Sequence, residues 1–384
     1  MAFLTATVAF SIDAMLPALP QIAAELVPQD VNRAQLILIS FVAGMGVGTL
    51  FAGPLSDAIG RKWTIAAGFG IYLLAAVAAL FAGTLDALLI ARFVQGLGAA
   101  GPRIASMALI RDQYEGREMA RITSFVMMVF MLVPALAPSL GQGFIWLGGW
   151  RGIFGAFIGF ALIALVWFGL RQPETLPPSR RRPLNPGRLW AGVREVLSNR
   201  EVVLCTITIA LGFGQMFALL ASSQQLFAET FDRGAGFPLW FAAVALLSST
   251  GTIINARLVM RVGMYRIART AYALQVASSA LFLVLMTIDD GWPLTLRFAV
   301  FFMWTVGVFT MAGLTFGNLN AMAMQRMGHM AGMTASVVSA LSTTGAVLIA
   351  APVGLAYDGS PVPVALATLV CSGLGWLVMG RMRR

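Results

Sequence analysis

Residues 53–62 read GPLSDAIGRK, a short segment that places charged side chains between two long apolar stretches. Asp57 and Arg61 are four residues apart, so their side chains can pair along one helical turn. Gly53 and Gly60 allow a tight, close-packed reversal of the chain. Taken alone, the segment predicts an ordinary charged turn, and the sequence on both sides decides what it connects.

The composition of the chain is that of a protein embedded in a membrane. Of its 384 residues, 59% are hydrophobic and only 11% are charged, and the mean hydropathy is +0.83. Soluble domains usually carry about a quarter charged residues. Because hydrocarbon offers no partner to an unpaired backbone group, we expect every membrane-spanning stretch to be a helix.

Twelve stretches are long enough to cross about 30 Å of hydrocarbon as helices. They lie near residues 1–26, 35–55, 63–85, 86–110, 119–145, 152–170, 201–228, 236–256, 267–288, 293–324, 330–356 and 361–380. The predicted fold class is therefore all-α integral membrane protein.

A long polar stretch, residues 172–199, divides the twelve predicted helices into six and six. It is rich in proline and arginine and cannot form a core of its own, so we expect a cytoplasmic linker with one amphipathic helix at the membrane surface. The predicted domains are a six-helix bundle over residues 1–171, this linker, and a second six-helix bundle over residues 200–384.

The distribution of basic residues predicts the orientation. Of the 26 lysines and arginines, 20 fall on one side of the predicted membrane, four on the other side and two within it. The positive-inside rule places the richer side, with both termini, in the cytoplasm. The net charge of +10 thus reflects topology. No nucleic-acid partner is expected, because the bases are scattered over many loops.

One acid, Asp13, lies about halfway through the first predicted helix, in SIDAMLPALP (residues 11–20). It is the only acid away from the ends of the twelve stretches, and a carboxylate at such depth usually serves an ion or substrate path. Pro17 has no amide hydrogen, so the Asp13 carbonyl lacks its normal helical donor, and Pro20 leaves the Leu16 carbonyl without a donor in the same way. Two interpretations stay open: a group that carries protons, or a neutral acid hydrogen-bonded within the bundle.

The order G-x-L-x-D-x-x-G-R-K in residues 53–62, after the second of twelve helices, closely resembles the signature loop of the major facilitator superfamily. A degenerate copy follows the eighth helix, in NARLVMRVGMYR (residues 255–266). This copy keeps the leucine and the second glycine at the same spacing but has Met260 in place of Asp57. The repeat indicates two related halves, with the charged function confined to the first.

Other motifs resemble one branch of that superfamily, the proton-driven multidrug exporters related to bicyclomycin and chloramphenicol resistance proteins. They are DAMLPALP (13–20), RFVQGLGAAGP (92–102), RDQYEGRE (111–118), FMLVPALAPSLGQG (130–143), ETLPPSRR (174–181), Gly317 with Asn318, and HMAG (329–332). Within the second of these, GLGAAG also fits a dinucleotide-binding fingerprint. We interpret it as close helix packing, because it falls in the middle of a membrane helix.

The resemblance implies two pseudo-symmetric six-helix bundles and a function. A monomer in the bacterial inner membrane would export drugs or small amphipathic molecules in exchange for protons, by alternating access and with no cofactor or metal. The alternative within transport is a proton-coupled exporter of one endogenous metabolite. A membrane enzyme is not expected, because the single histidine, His329, has no nucleophile or metal cluster to work with.

Proton coupling is predicted for Asp13 and Arg92, although Arg92 could equally well bind helix carbonyls and lock the packing. The predicted substrate cavity contains Asp13, Gln95, Gln215 and Asn318. For Gln215 and Asn318, bonding between helices is an equally good interpretation.

A cytoplasmic gate built from ion pairs is predicted at the inner surface, and a solvated charged rim is the alternative. Its residues are Gly53, Asp57, Gly60, Arg61, Arg111, Asp112 and Arg117. Hinges are predicted where proline or glycine interrupts the helical ladder. These are Pro17, Pro134, Pro138 and Gly141.

Overall fold

The computed structural model describes residues 2–181, 183–287 and 291–382, and the regular structure within them is helical throughout. The chain divides into two compact units, Met1–Arg194 and Glu195–Arg384. Each unit is built from long apolar helices joined by short turns, as the twelve predicted stretches require.

The first unit contains a broken helix followed by four longer ones. Its helices are α1 (Ala2–Asp13), α2 (Leu19–Leu26), α3 (Leu36–Ile59), α4 (Arg61–Leu80), α5 (Leu85–Gln113) and α6 (Gly116–Arg171). The predicted amphipathic linker helix is present as α7 (Pro186–Ser198), which includes the boundary between the units.

The second unit has six long helices. They are α8 (Arg200–Gln225), α9 (Phe237–Val262), α10 (Met264–Thr287), α11 (Leu294–Arg326), α12 (Ala331–Leu355) and α13 (Val362–Gly380). A π-helical turn, Leu226–Thr230, extends α8.

Helix lengths agree with twelve membrane crossings. In the described part of the chain, ten segments are long and apolar enough to span a membrane. One of them lies in α6, whose 56 residues contain non-helical backbone at Gly148 and Gly149, and the parts before and after these glycines are each long enough for a crossing. Helix α5 is not among the ten and carries three arginines, but its 29 residues are sufficient for a crossing.

Helix α5 packs backbone to backbone between α3 and α4, which confirms the predicted role of its small residues. A Cβ on Gly96 would lie 2.0 Å from the Phe41 carbonyl oxygen of α3. On another face, a Cβ on Gly98 would lie 2.6 Å from the Tyr72 amide nitrogen of α4. Because no larger side chain fits, these contacts fix the position of α5 and of its buried Arg92.

The loop predicted over residues 53–62 is wrong in its first part. Helix α3 continues through Ile59, so Gly53 and Asp57 are helical, and the chain reverses at Gly60 alone. Gly60 has φ 106° and ψ 160°, a conformation essentially restricted to glycine. Pro54 does not end α3, because a proline lacks a hydrogen-bond donor but keeps a helical φ.

Candidate functional site

The first membrane helix is broken at the predicted carboxylate. Helix α1 ends at Asp13, a two-residue turn follows, and a 3-10 turn over Leu16–Ala18 leads into α2 at Leu19. Pro17 lies in that 3-10 turn and has no amide hydrogen with which to continue the α-helical ladder. The predicted break beside Asp13 is confirmed.

The Asp13 side chain is buried without a partner. It is 6% exposed, and its carboxylate makes no hydrogen bond or ion pair with any residue that the structure describes. The described residues therefore provide no hydrogen-bond partner for the interpretation of Asp13 as a neutral acid bonded within the bundle. A buried carboxyl group in this state responds strongly to any proton, cation or polar ligand that reaches it.

Helix α6 packs directly against the break through Gly141, one of the predicted hinge residues. A Cβ on Gly141 would lie 2.2 Å from the carbonyl oxygen of Ala14, the residue after Asp13. Gly143, two residues further along α6, would place a Cβ in open space. Gly141 thus allows a close backbone approach that holds the break against α6.

The other predicted hinge residues of α6 leave the helix regular. Pro134 and Pro138 lie inside α6, and the non-helical backbone angles of that helix occur at Gly148 and Gly149 instead. The two prolines remove hydrogen bonds from the ladder without breaking it here.

Arg92 is fully buried on α5 and binds neutral oxygens. Its Nη2 donates to the Ser11 carbonyl at 2.9 Å, its Nη1 to Gln95 Oε1 at 2.6 Å, and its Nε to the Ile37 carbonyl at 3.4 Å. The guanidinium carbon also lies 4.4 Å from the centre of the Phe41 ring. Arg92 therefore bonds to the backbone of α1 two residues before Asp13, as the packing interpretation predicted, and not to the carboxylate itself.

Two hydroxyl groups extend this buried network and were not predicted from the sequence. The Ser11 and Tyr72 hydroxyl oxygens are 2.6 Å apart, and Ser11 Oγ also donates to the Thr7 carbonyl at 2.7 Å. Gln95 is fully buried, and its Nε2 has no hydrogen-bond partner among the described residues. This polar network thus surrounds α1 at Ser11, two residues before Asp13, and one of its donors has no partner among the described residues.

Gln215 and Asn318, the polar residues predicted for the cavity in the second unit, both join helices. The Gln215 oxygen accepts a hydrogen bond from Ser372 at 2.7 Å, which links α8 to α13. The Asn318 amide donates to Asn255 at 2.7 Å, which links α11 to α9. These contacts favour the helix-bonding interpretation for both residues.

At one end of the first unit, Arg61 joins two of the predicted gate residues. Its Nη1 donates to Asp57 at 2.5 Å and its Nε to Asp112 at 2.9 Å, while Ser56 accepts a third bond at 3.0 Å. The Arg61 residue is 9% exposed, so these are not ordinary solvated pairs. The cluster connects the end of α3, the start of α4 and the end of α5.

Glu174 completes this cluster, and sequence reasoning missed it. Its two carboxylate oxygens accept the backbone amides of Arg61 and Lys62 at 2.9 and 3.1 Å, so it caps the start of α4. Lys62 in turn donates to the Gly169 carbonyl at 2.8 Å. Nothing in the local sequence pointed to Glu174: Gly60 has no side chain to cap α4, but water can also accept the first amides of a helix.

Not every predicted gate residue joins the cluster. Arg111 is exposed and has no hydrogen bond or ion pair within the described part of the chain, so it does not join the cluster in this conformation and its role in a gate stays a prediction. Gly53 lies inside α3, seven residues before the turn at Gly60. The side chain of Arg117 is outside the described residues.

The fold and site together define a class of protein. Twelve crossings by apolar helices, with isolated polar groups buried along them, are the architecture of a multi-pass membrane transporter. In the residues that the structure describes, no three histidine, cysteine, aspartate or glutamate side chains are placed to hold a metal ion.

The chain belongs to the Major Facilitator Superfamily, whose sequence profile matches residues 1–379. It is a transporter and not an enzyme. A bicyclomycin resistance protein homolog of Haemophilus influenzae is 29% identical, over 86% of this chain and 82% of that protein. A chloramphenicol resistance protein of Pseudomonas aeruginosa is 29% identical, over 77% of this chain and 69% of that protein. Both relatives support the predicted branch.

Solved structures agree on the fold. The crystal structure of a D-xylose-proton symporter superposes with a TM-score of 0.78, at 13% sequence identity, and covers 100% of this chain and 97% of that one. The predicted twelve-helix fold of the superfamily is confirmed.

Proposed function

We propose that the protein exports drugs or other small amphipathic molecules from the cytoplasm in exchange for protons. The observation that carries the proposal is Asp13, a buried carboxyl group with no hydrogen-bond or ion-pair partner among the described residues, at a break in the first membrane helix of a facilitator-superfamily transporter. The names of the relatives, resistance to bicyclomycin and to chloramphenicol, support the choice of substrate class.

In this mechanism protons and substrate compete for one buried position. Asp13 takes up a proton from the outer side and loses it to the inner side, and substrate binds when the carboxylate is charged. Access alternates between the two sides, so each cycle exchanges protons for substrate. Arg92 acts as a positioning residue, because it bonds to the Ser11 carbonyl and holds the α1 backbone that carries Asp13.

The Arg61 cluster is proposed as the cytoplasmic gate. Arg61 joins α3, α4 and α5 through Asp57 and Asp112, and Glu174 attaches the segment after α6 to the same turn. Opening on that side would have to break several charge-assisted hydrogen bonds at once. The cluster would therefore stabilise the closed state more than a single ion pair could.

The proposed setting is a monomer in the bacterial inner membrane with both termini in the cytoplasm. The predicted bundles over residues 1–171 and 200–384, joined by a linker over residues 172–199, form part of this proposal. The excess of arginine on the side of the termini supports the orientation. Protons and a small molecule are the proposed partners, with no nucleic acid.

The test is proton movement in inside-out vesicles under an imposed proton gradient. A panel of antibiotics and dyes is added to vesicles with the wild-type protein, Asp13→Asn or Asp30→Asn. Asp30 is exposed and provides a control for the same chemical change away from the membrane interior. We expect several compounds to dissipate the gradient with wild type and Asp30→Asn, and none with Asp13→Asn.

Other outcomes would replace the proposal. If folded Asp13→Asn exchanges as well as wild type, Asp13 is not the proton carrier. A response confined to one compound class would indicate the exporter of a single metabolite. A chemically altered substrate would contradict transport as the main activity.

A further inference from the structure

The two units share one helix-joining turn in nearly the same conformation. Gly60 joins α3 to α4 with φ 106° and ψ 160°, and Gly263 joins α9 to α10 with φ 88° and ψ 150°. Each glycine donates its amide to the residue four before it, and each carbonyl accepts at 3.2 Å from the residue four after it. The predicted internal repeat is confirmed at this point, so the surroundings of the two turns can be compared.

The turn in the first unit is filled by an anion. The Glu174 carboxylate accepts the first two amides of α4, from Arg61 and Lys62. It lies so close that a Cβ on Gly60 would be 2.3 Å from its Oε2. The unsatisfied amides at the start of this helix thus have a negatively charged partner.

The turn in the second unit has no such partner. A Cβ on Gly263 would meet no atom within 4 Å, and the first two amides of α10, from Met264 and Tyr265, have no acceptor among the described residues. In place of the carboxylate there is a cavity of about 890 Å³ that both residues line.

The cavity is strongly basic. Arg266, Arg269 and Arg326 line it, and none of its lining residues is acidic. Arg269 is held in place by the Tyr265 hydroxyl at 3.3 Å and lies over the Trp376 ring. Arg266 and Arg326 have no hydrogen bond or ion pair within the described part of the chain. Three guanidinium groups thus share one cavity with two amides that have no acceptor among the described residues, and none of the residues that line the cavity is acidic.

We propose that this cavity binds a phosphate group, at the position that corresponds to the Glu174 carboxylate in the first unit. A guanidinium group can donate two parallel hydrogen bonds to a phosphate group, and the free amides at the start of a helix also donate to phosphate oxygens. The cavity is much larger than a carboxylate, and Trp376 and Met322 give it an apolar wall. A phosphate ester, either a lipid headgroup or a soluble anion, fits this chemistry. The proposal does not depend on the direction of transport or on the substrate.

The first experiment compares lipid retention by the purified full-length protein in native mass spectrometry, with phosphatidylglycerol or phosphatidylcholine added in equal amounts. The test variant is Arg266→Gln/Arg326→Gln. The matched control, Arg257→Gln/Arg261→Gln, removes two exposed arginines of α9 that do not line the cavity. We expect the test variant to lose about fivefold in phosphatidylglycerol binding for each arginine removed, and the control to bind like wild type.

A second measurement uses the wild-type protein and identifies the source of the phosphate. Inorganic phosphate is compared with chloride at equal ionic strength, in lipid-free detergent, by thermal unfolding. Stabilisation by phosphate, lost in Arg266→Gln/Arg326→Gln, indicates a soluble ligand. Selective lipid retention without this effect indicates a headgroup. If neither probe is preferred by wild type, or if the control variant loses as much as the test variant, the site does not exist.

Discussion

The first membrane helix of each unit buries a polar side chain in its interior, Asp13 in the first unit and Gln215 in the second, but the surroundings of the two side chains differ. The first-unit helix breaks directly after Asp13 and resumes at Leu19, whereas α8 runs unbroken from Arg200 to Gln225 with Gln215 in its interior. Asp13 has no partner among the described residues, while Gln215 bonds to Ser372. The difference indicates that the polar side chain of the first unit can bind a proton or a ligand, whereas that of the second unit holds two helices together.

The largest effect is expected at Asp13. In Asp13→Asn, uphill transport driven by a proton gradient should fall to the level of vesicles without the protein, because the amide cannot release a proton. Exchange of labelled for unlabelled substrate should fall as well, because the neutral amide resembles the protonated acid, the state from which substrate leaves. Both reactions are measured in the same vesicles, with the folded state of the variant checked. Exchange that survives in folded Asp13→Asn would show that substrate binding does not depend on the charge of Asp13 and would contradict competition at this position.

The next largest effect is expected at Gly141 of α6, which packs against the Ala14 carbonyl at the break in the first membrane helix. Gly141→Ala should destabilise the protein by about 2–3 kcal/mol, because its Cβ would overlap the Ala14 carbonyl and push α6 away from the break. Gly143→Ala on the same helix is the control and should change stability by less than about 0.5 kcal/mol. Thermal or denaturant unfolding in detergent measures both. Equal effects would mean that the contact is not tight in the folded protein.

A smaller difference is expected between the two repeated turns. Gly60→Ala and Gly263→Ala both place alanine at a positive φ, at a cost of about 1–3 kcal/mol each. Gly60→Ala should cost about 1 kcal/mol more, because it also displaces the capping carboxylate of Glu174. In a Glu174→Ala background this excess should disappear. If the costs of Gly60→Ala and Glu174→Ala are instead additive in a double-mutant cycle, the Glu174 cap does not contribute to the cost of Gly60→Ala.

The smallest effect is expected at Gln215. Gln215→Leu leaves the buried Ser372 hydroxyl without its acceptor and should cost about 1 kcal/mol in stability. Adding Ser372→Ala should recover most of that loss, and transport should change little in either variant. A large drop in transport at unchanged stability would place Gln215 in the substrate cavity and remove the contrast with Asp13.

Much of the fold could be read from the sequence, because membrane helices are encoded by local composition. Each of the twelve predicted stretches contains a membrane helix in the described residues, with differences at the ends, and the break beside Asp13 follows from Pro17. The end of α3 was misjudged, since glycine and proline in GPLSDAIGRK suggest a loop. In a membrane helix both can be accommodated inside the regular structure.

The site was only partly predictable, for a physical reason. The Asp57 and Arg61 pair follows from their separation of four residues, although the two lie on either side of the turn at Gly60. In contrast, Glu174 lies 113 residues from Arg61, and nothing local indicates that they meet. Arg92 was recognised as a buried charge, but two of its acceptors are backbone carbonyls, which every residue possesses and no motif marks.

The Glu174 cap has a consequence for biosynthesis. Helix α4 begins at residue 61, but the acceptor for its first two amides is placed after α6, so the ribosome makes it more than a hundred residues later. Until then the start of α4 must bond to water or to the translocation machinery. The first unit therefore receives this contact only after its last helix has been made, so the amide end of α4 stays without its protein acceptor through most of the synthesis of that half of the chain.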